Sequence, residues 1–293
     1  MFLALAVVSA CALAWLMWLL LDADKKVEVQ RRQDRIDQAA DRAVASMQAS
    51  LTDIEQGAAL RPGLIAVNMG ANGIDVQPHG ALLYYPVTGR KSGPAAERFA
   101  EGETAELARN DSRVAAGIYT KLAADPDMAT KAGALARLAR VQRKMRDYGS
   151  ALRTYDQLSA LSGVSVLGLP ADLVAREGRA STLEETQRDS DLRREADTLI
   201  EELFKGRWQL TQSEFEFRVA EANAWLGGVS KQAPREAFAR TEAVQWLWDK
   251  RHSPESVSRR LIQTAGGPAL IVSHKTADGL TAIVADSRYI HSL

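Results

Sequence analysis

The chain changes its apolar–polar rhythm several times, and each rhythm predicts a different element. From Phe2 to Leu21 the run FLALAVVSACALAWLMWLLL carries no charge. A helix of that length spans about 30 Å, the hydrocarbon thickness of a bilayer. Trp15 and Trp18 lie near its end, where aromatic rings favour the membrane interface. Residues 1–21 therefore predict a retained transmembrane helix. A cleaved signal peptide would want a basic start and a shorter apolar run. A lipoprotein signal ending at Cys11 would not need the apolar stretch that follows it.

Over 22–60 the rhythm is helical. Ile36, Ala40, Ala43, Met47, Leu51, Ile54 and Ala58 recur in steps of three and four, close to a heptad seam. Gly57 and Arg61-Pro62-Gly63 end the run. A long helical stalk is expected, either paired with a second copy in a parallel homodimer or laid against the domain that follows.

From 61 to 90 the pattern becomes that of strands. The runs 64–67, 74–76 and 81–85 are separated by Asn-Gly, Pro and Gly and predict two or three short strands. So small a β segment needs partners. Residues 263–293 offer them, because two apolar runs flank Ala277-Asp278-Gly279, a hairpin signal. The expectation is a mainly α chain with a small β part (α+β), whose small antiparallel sheet is formed by segments near 64–85 and 269–290. The helical middle, about 95 to 260, would be inserted between them.

Within that middle, residues 95–204 carry a recurrent spacing. Leu135, Leu138, Ala139, Ala151, Tyr155 and Leu158 follow the large-and-small pattern of tetratricopeptide repeats, with Arg146-Asp147-Tyr148-Gly149 as the turn. Ala115, Tyr119 and Leu122 match Ala151, Tyr155 and Leu158 at a shift of 36, and Leu138-Ala139 recurs as Val174-Ala175. Ala196, Ile200 and Leu203 repeat the step after an insertion containing Ser181–Ser190. These residues predict two or three divergent tetratricopeptide-like hairpins; a generic alanine-rich helical bundle is the alternative. Residues 205–262 predict further helices with an aromatic cluster, Trp208, Phe215, Phe217, Trp225, Trp246 and Trp248, which either lines a ligand pocket or packs an irregular helical layer.

Lys+Arg and Asp+Glu each number 37, so the net charge is zero. Without a basic footprint, a nucleic-acid partner is not expected. Lys25, Lys26, Arg31, Arg32 and Arg35 follow the apolar span, and positive-inside reasoning would put that flank in the cytoplasm. The single cysteine, Cys11, lies inside the span and fixes no redox compartment.

Candidate chemistry is sparse. His79, His252, His274 and His291 are isolated, so no metal site is assigned. Gly70-Ala71-Asn72-Gly73 and Gly266-Gly267 lack the context of a phosphate-cradling loop. Gly163-Val164-Ser165 is followed by Val166-Leu167 and is no nucleophile elbow. Glu184-Glu185 and Glu201-Glu202 read as solvated helix faces. The sequence assigns no catalytic, cofactor-binding or metal-ligating residue.

The order of features is an apolar anchor, a charged helix containing RRQDRIDQAADRAVASMQASL, β segments around LLYYP, helical repeats and a closing hairpin. It resembles the N-terminal input region of bacterial membrane-bound sensor histidine kinases. That resemblance implies a single span in the bacterial inner membrane, a periplasmic soluble part, a homodimer, and a small-molecule or protein ligand whose signal crosses the membrane to a kinase core. The phosphoacceptor helix, Asn box and Gly-rich lid of the kinase do not occur here. RYIHSL runs out of an apolar β segment, so the hairpin over 263–293 is expected to be truncated, and histidine kinase activity would need a transmitter beyond Leu293. The alternative is a membrane-tethered tetratricopeptide-like scaffold on the cytoplasmic side, which the basic flank favours.

Overall fold

The computed structural model describes residues 38, 41, 42, 44–46, 49, 62–70, 73–87, 96–253, 259–277 and 279–291. The expected transmembrane helix over 1–21 and most of the stalk over 22–60 lie outside the described residues. No helix among those described is long and apolar enough to cross a membrane. Residues 38, 41, 42, 44–46 and 49 are helical and are called α1.

The two flanks of the chain build one sheet. Strands β1 (Leu64–Gly70) and β2 (Gly73–Gln77) precede the helices, and β5 (Arg259–Thr264), β6 (Gly267–Thr276) and β7 (Gly279–Ala285) follow them. Their order is β2-β1-β7-β6-β5, with every neighbouring pair antiparallel. Val67 pairs with Ala282 and Val272 with Ile283, so β7 joins the early strands to the late ones. Gly279 makes this possible at the corner: its φ is +151°, and a Cβ there would collide with the Met69 carbonyl oxygen.

Both faces of the central strands β1, β7 and β6 are covered, which is why these strands read as near-continuous apolar runs. Successive side chains point to opposite faces. Ile65, Val67, Ile271, Ala282 and Val284 pack beneath Ala243, Val244 and Leu247 of helix α9 (Arg235–Lys250). Leu64, Leu270, Val272, Ile283 and Ala285 face the other way, onto Val44 of α1 and Tyr289 of α10 (Ser287–His291). The Ser46 and Tyr289 hydroxyls are hydrogen-bonded at 2.8 Å across that second face.

Between β2 and β5 runs an array of helices. An irregular run called α2 combines a 3-10 turn (Ala96–Phe99), an α turn (Ala100–Glu103) and a π turn (Thr104–Ala108). After it come α3 (Ser112–Leu122), α4 (Met128–Lys144), α5 (Tyr148–Ser159), α6 (Ala171–Glu185), α7 (Asp189–Phe204) and α8 (Gln212–Trp225). Each packs on the next, and α4 also meets α6.

One turn recurs in the array. Asn110, Arg146 and Gln187 adopt left-handed φ values of 52°, 60° and 53°, each immediately before the N-cap of the following helix. Asp111 and Asp147 then accept from the backbone of Val114 and Ser150, at 3.0 and 3.1 Å. Each cap satisfies an N–H that the first helical turn would leave orphaned, typically worth about 1 kcal/mol. Ala115, Tyr119, Leu135, Leu138, Ala139, Ala151, Tyr155, Leu158, Ala196, Ile200 and Leu203 are all buried.

Three local expectations are corrected. Residues 81–85 form no strand among the described residues; β2 already ends at Gln77, and side chains of this segment enter two different cores. The helical reading of 95 to 260 is broken by a two-strand ribbon, β3 (Ser165–Val166) with β4 (Leu169–Pro170), and by β5. In RRLIQT the arginines disguised a strand that pairing with β6 stabilises. Ser287–His291 turns out of β7 into α10 instead of running on as an apolar β segment, because buried Asp286 accepts from the backbone N–H groups of Arg288 and Tyr289.

Candidate functional site

The segment Ala81–Pro86 lies between the helical array and the sheet and takes part in both. Leu83 and Tyr84 enter the core formed with α6, α7 and α8, while Leu82 and Tyr85 enter the core beneath the sheet. Its backbone is held by helices and loops instead of strands. The Leu83 N–H donates to the Thr241 hydroxyl at 3.0 Å, and the Tyr85 N–H to the Leu210 carbonyl at 2.8 Å. Arg240 Nε donates to the Ala81 carbonyl at 3.4 Å.

Helix α8 starts directly after Leu210. Thr211 and Glu214 form a capping box: the Thr211 hydroxyl accepts from the Glu214 N–H at 3.4 Å, and the Glu214 carboxylate accepts from the Thr211 N–H at 2.9 Å. This reciprocal pair fixes the first turn. An open cleft of about 360 Å³ lies there. Tyr85 and Pro86 form one side, and Thr211, Gln212, Ser213 and Glu216 of the first turns of α8 form another. Gln245 of α9 closes it. The cleft thus sits where the helical array meets the helix that supports the sheet.

Beneath it, the Tyr84 and Phe215 rings are 5.9 Å apart at a 46° tilt. The Tyr84 phenol is pushed up to about 12, first by burial and then by the Glu242 and Glu216 carboxylates.

The six aromatic residues singled out in the sequence line no common pocket. Trp208, Phe215 and Trp225 are core residues of the array, Trp246 and Trp248 pack beside the sheet core, and Phe217 is exposed. Arg260 lies over the Trp246 ring at 5.4 Å and Arg251 over the Trp248 ring at 3.9 Å, cation–π contacts on the flank of α9. The Trp208 indole N–H donates to both Asp172 oxygens at 3.1 Å, and Arg207 Nε reaches the same carboxylate at 3.1 Å. Those contacts leave Asp172 with a structural task.

Charged side chains otherwise tie helix to helix. Glu106, almost wholly buried, receives Arg140 at 2.7 and 3.0 Å and the Tyr119 hydroxyl at 3.2 Å. Arg218 Nε lies 2.6 Å from Glu177 between α8 and α6, and burial raises the Glu177 carboxyl above its ordinary range against the pull of Arg218. His79, His252, His274 and His291 stay apart, on a turn, the end of α9, β6 and α10. Among the described residues, no group of three or more His, Cys, Asp or Glu is placed to hold a metal ion.

The junction cleft had no signal in the sequence. Its lining comes from three distant stretches, and only Thr211-x-x-Glu214, a helix-start pattern, is locally legible. Known protein families, characterised proteins and solved structures give no match to this chain.

Proposed function

We propose that the chain is the membrane-anchored signal-input region of a two-component sensor histidine kinase, which binds a ligand or partner and passes the change across the membrane. In this reading residues 2–21 anchor it in the bacterial inner membrane and the soluble part, a homodimer, is periplasmic. The observation that supports it is the meeting of α1 and α10 on one face of the sheet, with Val44 and Ser46 against Tyr289. The opposite face carries α9, whose Ala237 and Phe238 pack into the core of the helical array. A rearrangement in the array would thus reach, through one sheet, the helix that enters the domain and the helix that leaves it. Such a device works as a two-state element biased by a ligand that binds the two states unequally.

A membrane-tethered tetratricopeptide-like scaffold is the second reading. The recurrent left-handed turn at Asn110, Arg146 and Gln187 favours it, since stacked hairpins of this type bind proteins on a shared face. Compartment separates the two. A reporter active only in the periplasm, fused after Leu293, is expected to be active in cells. Activity solely of a cytoplasmic reporter at that position overturns the sensory reading and leaves the scaffold.

A further inference from the structure

We propose that two copies of this chain join through the edge of β5, strand against strand across a two-fold axis. The inference rests on the homodimer of the sensory reading and names its interface.

The sheet ends on β2 at one side and on β5 at the other. Strand β2 is five residues long and is followed at once by Pro78, which has no N–H to offer a further strand. Strand β5 runs from Arg259 to Thr264 in unbroken register with β6, without proline, glycine or bulge. Among the described residues, no strand pairs with its other side. Ala265-Gly266 is a two-residue turn, so Thr264 and Gly267 form its closing hydrogen-bonded pair. Alternation turns the N–H and C=O groups of Arg260 and Ile262 towards β6, and those of Arg259, Leu261 and Gln263 outward. Such a row is a template for another strand. Leu261, at its centre, is 59% exposed.

The strand is complementary to itself. Directly opposed residues of an antiparallel pair point to the same face, and a two-fold centred on Leu261 sets it opposite its own copy. The outward groups of the two Leu261 residues then bond each other, and their exposed side chains meet. Arg259 falls opposite Gln263, whose amide carbonyl can accept from the guanidinium, and Arg260 falls opposite Ile262. Arginines on an edge can guard it against pairing. In this register none is set directly opposite another, and Arg260 lies over the Trp246 ring at 5.4 Å.

The two-fold stands perpendicular to the sheet, so two five-stranded sheets become one continuous sheet. Leu261 pairs with Leu270, on the face that carries Val44 and Tyr289. Both copies of α1 and α10 therefore lie on one face of the joined sheet, and both copies of α9 on the other. The two anchors of the sensory reading would face the same membrane.

The test uses the full chain, purified in detergent and carrying Cys11→Ser so that no native thiol remains. With Leu261→Cys added, mild oxidation is expected to give a disulfide-linked dimer, because opposed hydrogen-bonded residues have Cα atoms about 5.5 Å apart. Gln263→Cys, also exposed, is offset from its own copy by four residues, roughly 13 Å along the strand, and should not link. Leu261→Lys sets two ammonium groups against each other and should raise the dimer dissociation constant at least tenfold in sedimentation. Its circular dichroism should stay that of wild type, since the side chain is exposed. A wild-type monomer at micromolar concentration, linkage through 263 as ready as through 261, or a dimer that Leu261→Lys leaves intact overturns the proposal. A monomer that takes up an acidic peptide along β5 also overturns it and assigns the edge to another protein. Self-association is read on purified chain and compartment in cells. A dimer linked at 261 with a cytoplasmic reporter would keep the interface and remove the sensor, and a monomer with a periplasmic reporter would do the reverse.

Discussion

The Asp286 carboxylate, completely buried at the end of β7, is ion-paired with the Arg240 guanidinium of α9. The same carboxylate accepts from the backbone N–H groups of Arg288 and Tyr289 at 3.0 and 3.2 Å. One side chain therefore locks the sheet to α9 and starts α10.

Removing one partner strands a buried charge. Asp286→Ala leaves Arg240 unpaired and two N–H groups of α10 uncapped, and should destabilise by about 3–5 kcal/mol. Urea unfolding of the two proteins gives the difference; a loss below about 1 kcal/mol would show that the pair does not hold the junction.

Gly178 of α6 lies against the Tyr155 ring of α5, so closely that a Cβ would penetrate the ring's van der Waals surface. Gly178→Ala gains about 1 kcal/mol of helix propensity. It should nevertheless destabilise, because overpacking typically costs about 1–3 kcal/mol. Restoring space with Tyr155→Leu in the same chain should recover part of the loss, a non-additivity that thermal unfolding of the double variant would detect.

Asp172 and Trp208 form a second buried pair. Asp172→Ala should cost about 1–3 kcal/mol, since the indole N–H would be left buried without an acceptor. Trp208→Phe removes both donor and need, so the double variant should be no worse than Trp208→Phe by more than about 1 kcal/mol. Denaturant midpoints of the three variants decide it.

Tyr119 is pushed up to about 12, chiefly by burial and then by the Glu106 carboxylate to which it is hydrogen-bonded. An unfolded tyrosine titrates near 10, so the folded chain holds this proton more tightly. The stability that results is whole below about pH 10 and is lost as pH rises towards the folded value. Tyr119→Phe should accordingly be less stable than wild type at neutral pH, and the gap should narrow above about pH 10. A gap that stays constant to high pH would contradict the buried hydrogen-bonded phenol.

The sequence makes the periodic parts of this fold legible. LIAV, ALIV and TAIVA announce strands covered on both faces, and the spacing from Leu135 to Leu158 marks positions that are buried. Residues whose environment is set by distant partners escape such reading. LLYY in 82–85 has the composition of a strand, yet its side chains are divided between two cores and its N–H groups go to Thr241 and Leu210. RRLIQT carries arginines that look helical until β6 lies beside it. The cleft was invisible for the same reason: Tyr85, Glu216 and Gln245 lie far apart in the chain, and no local rhythm records that they meet.

The docking of α1 beside α10 carries the functional account, so its most direct test is hydrogen exchange at residues 41, 42, 44–46 and 49 in the full chain. In wild type these amides should be protected, and Val44→Asp should release them while peptides of α4 and α5 stay protected. Val44 is buried among Leu64, Val272, Ile283 and Tyr289, and a carboxylate there would have no partner. Equal exchange at these residues in wild type and Val44→Asp would mean that α1 is not held by the sheet, and the route from the array to the membrane would be lost.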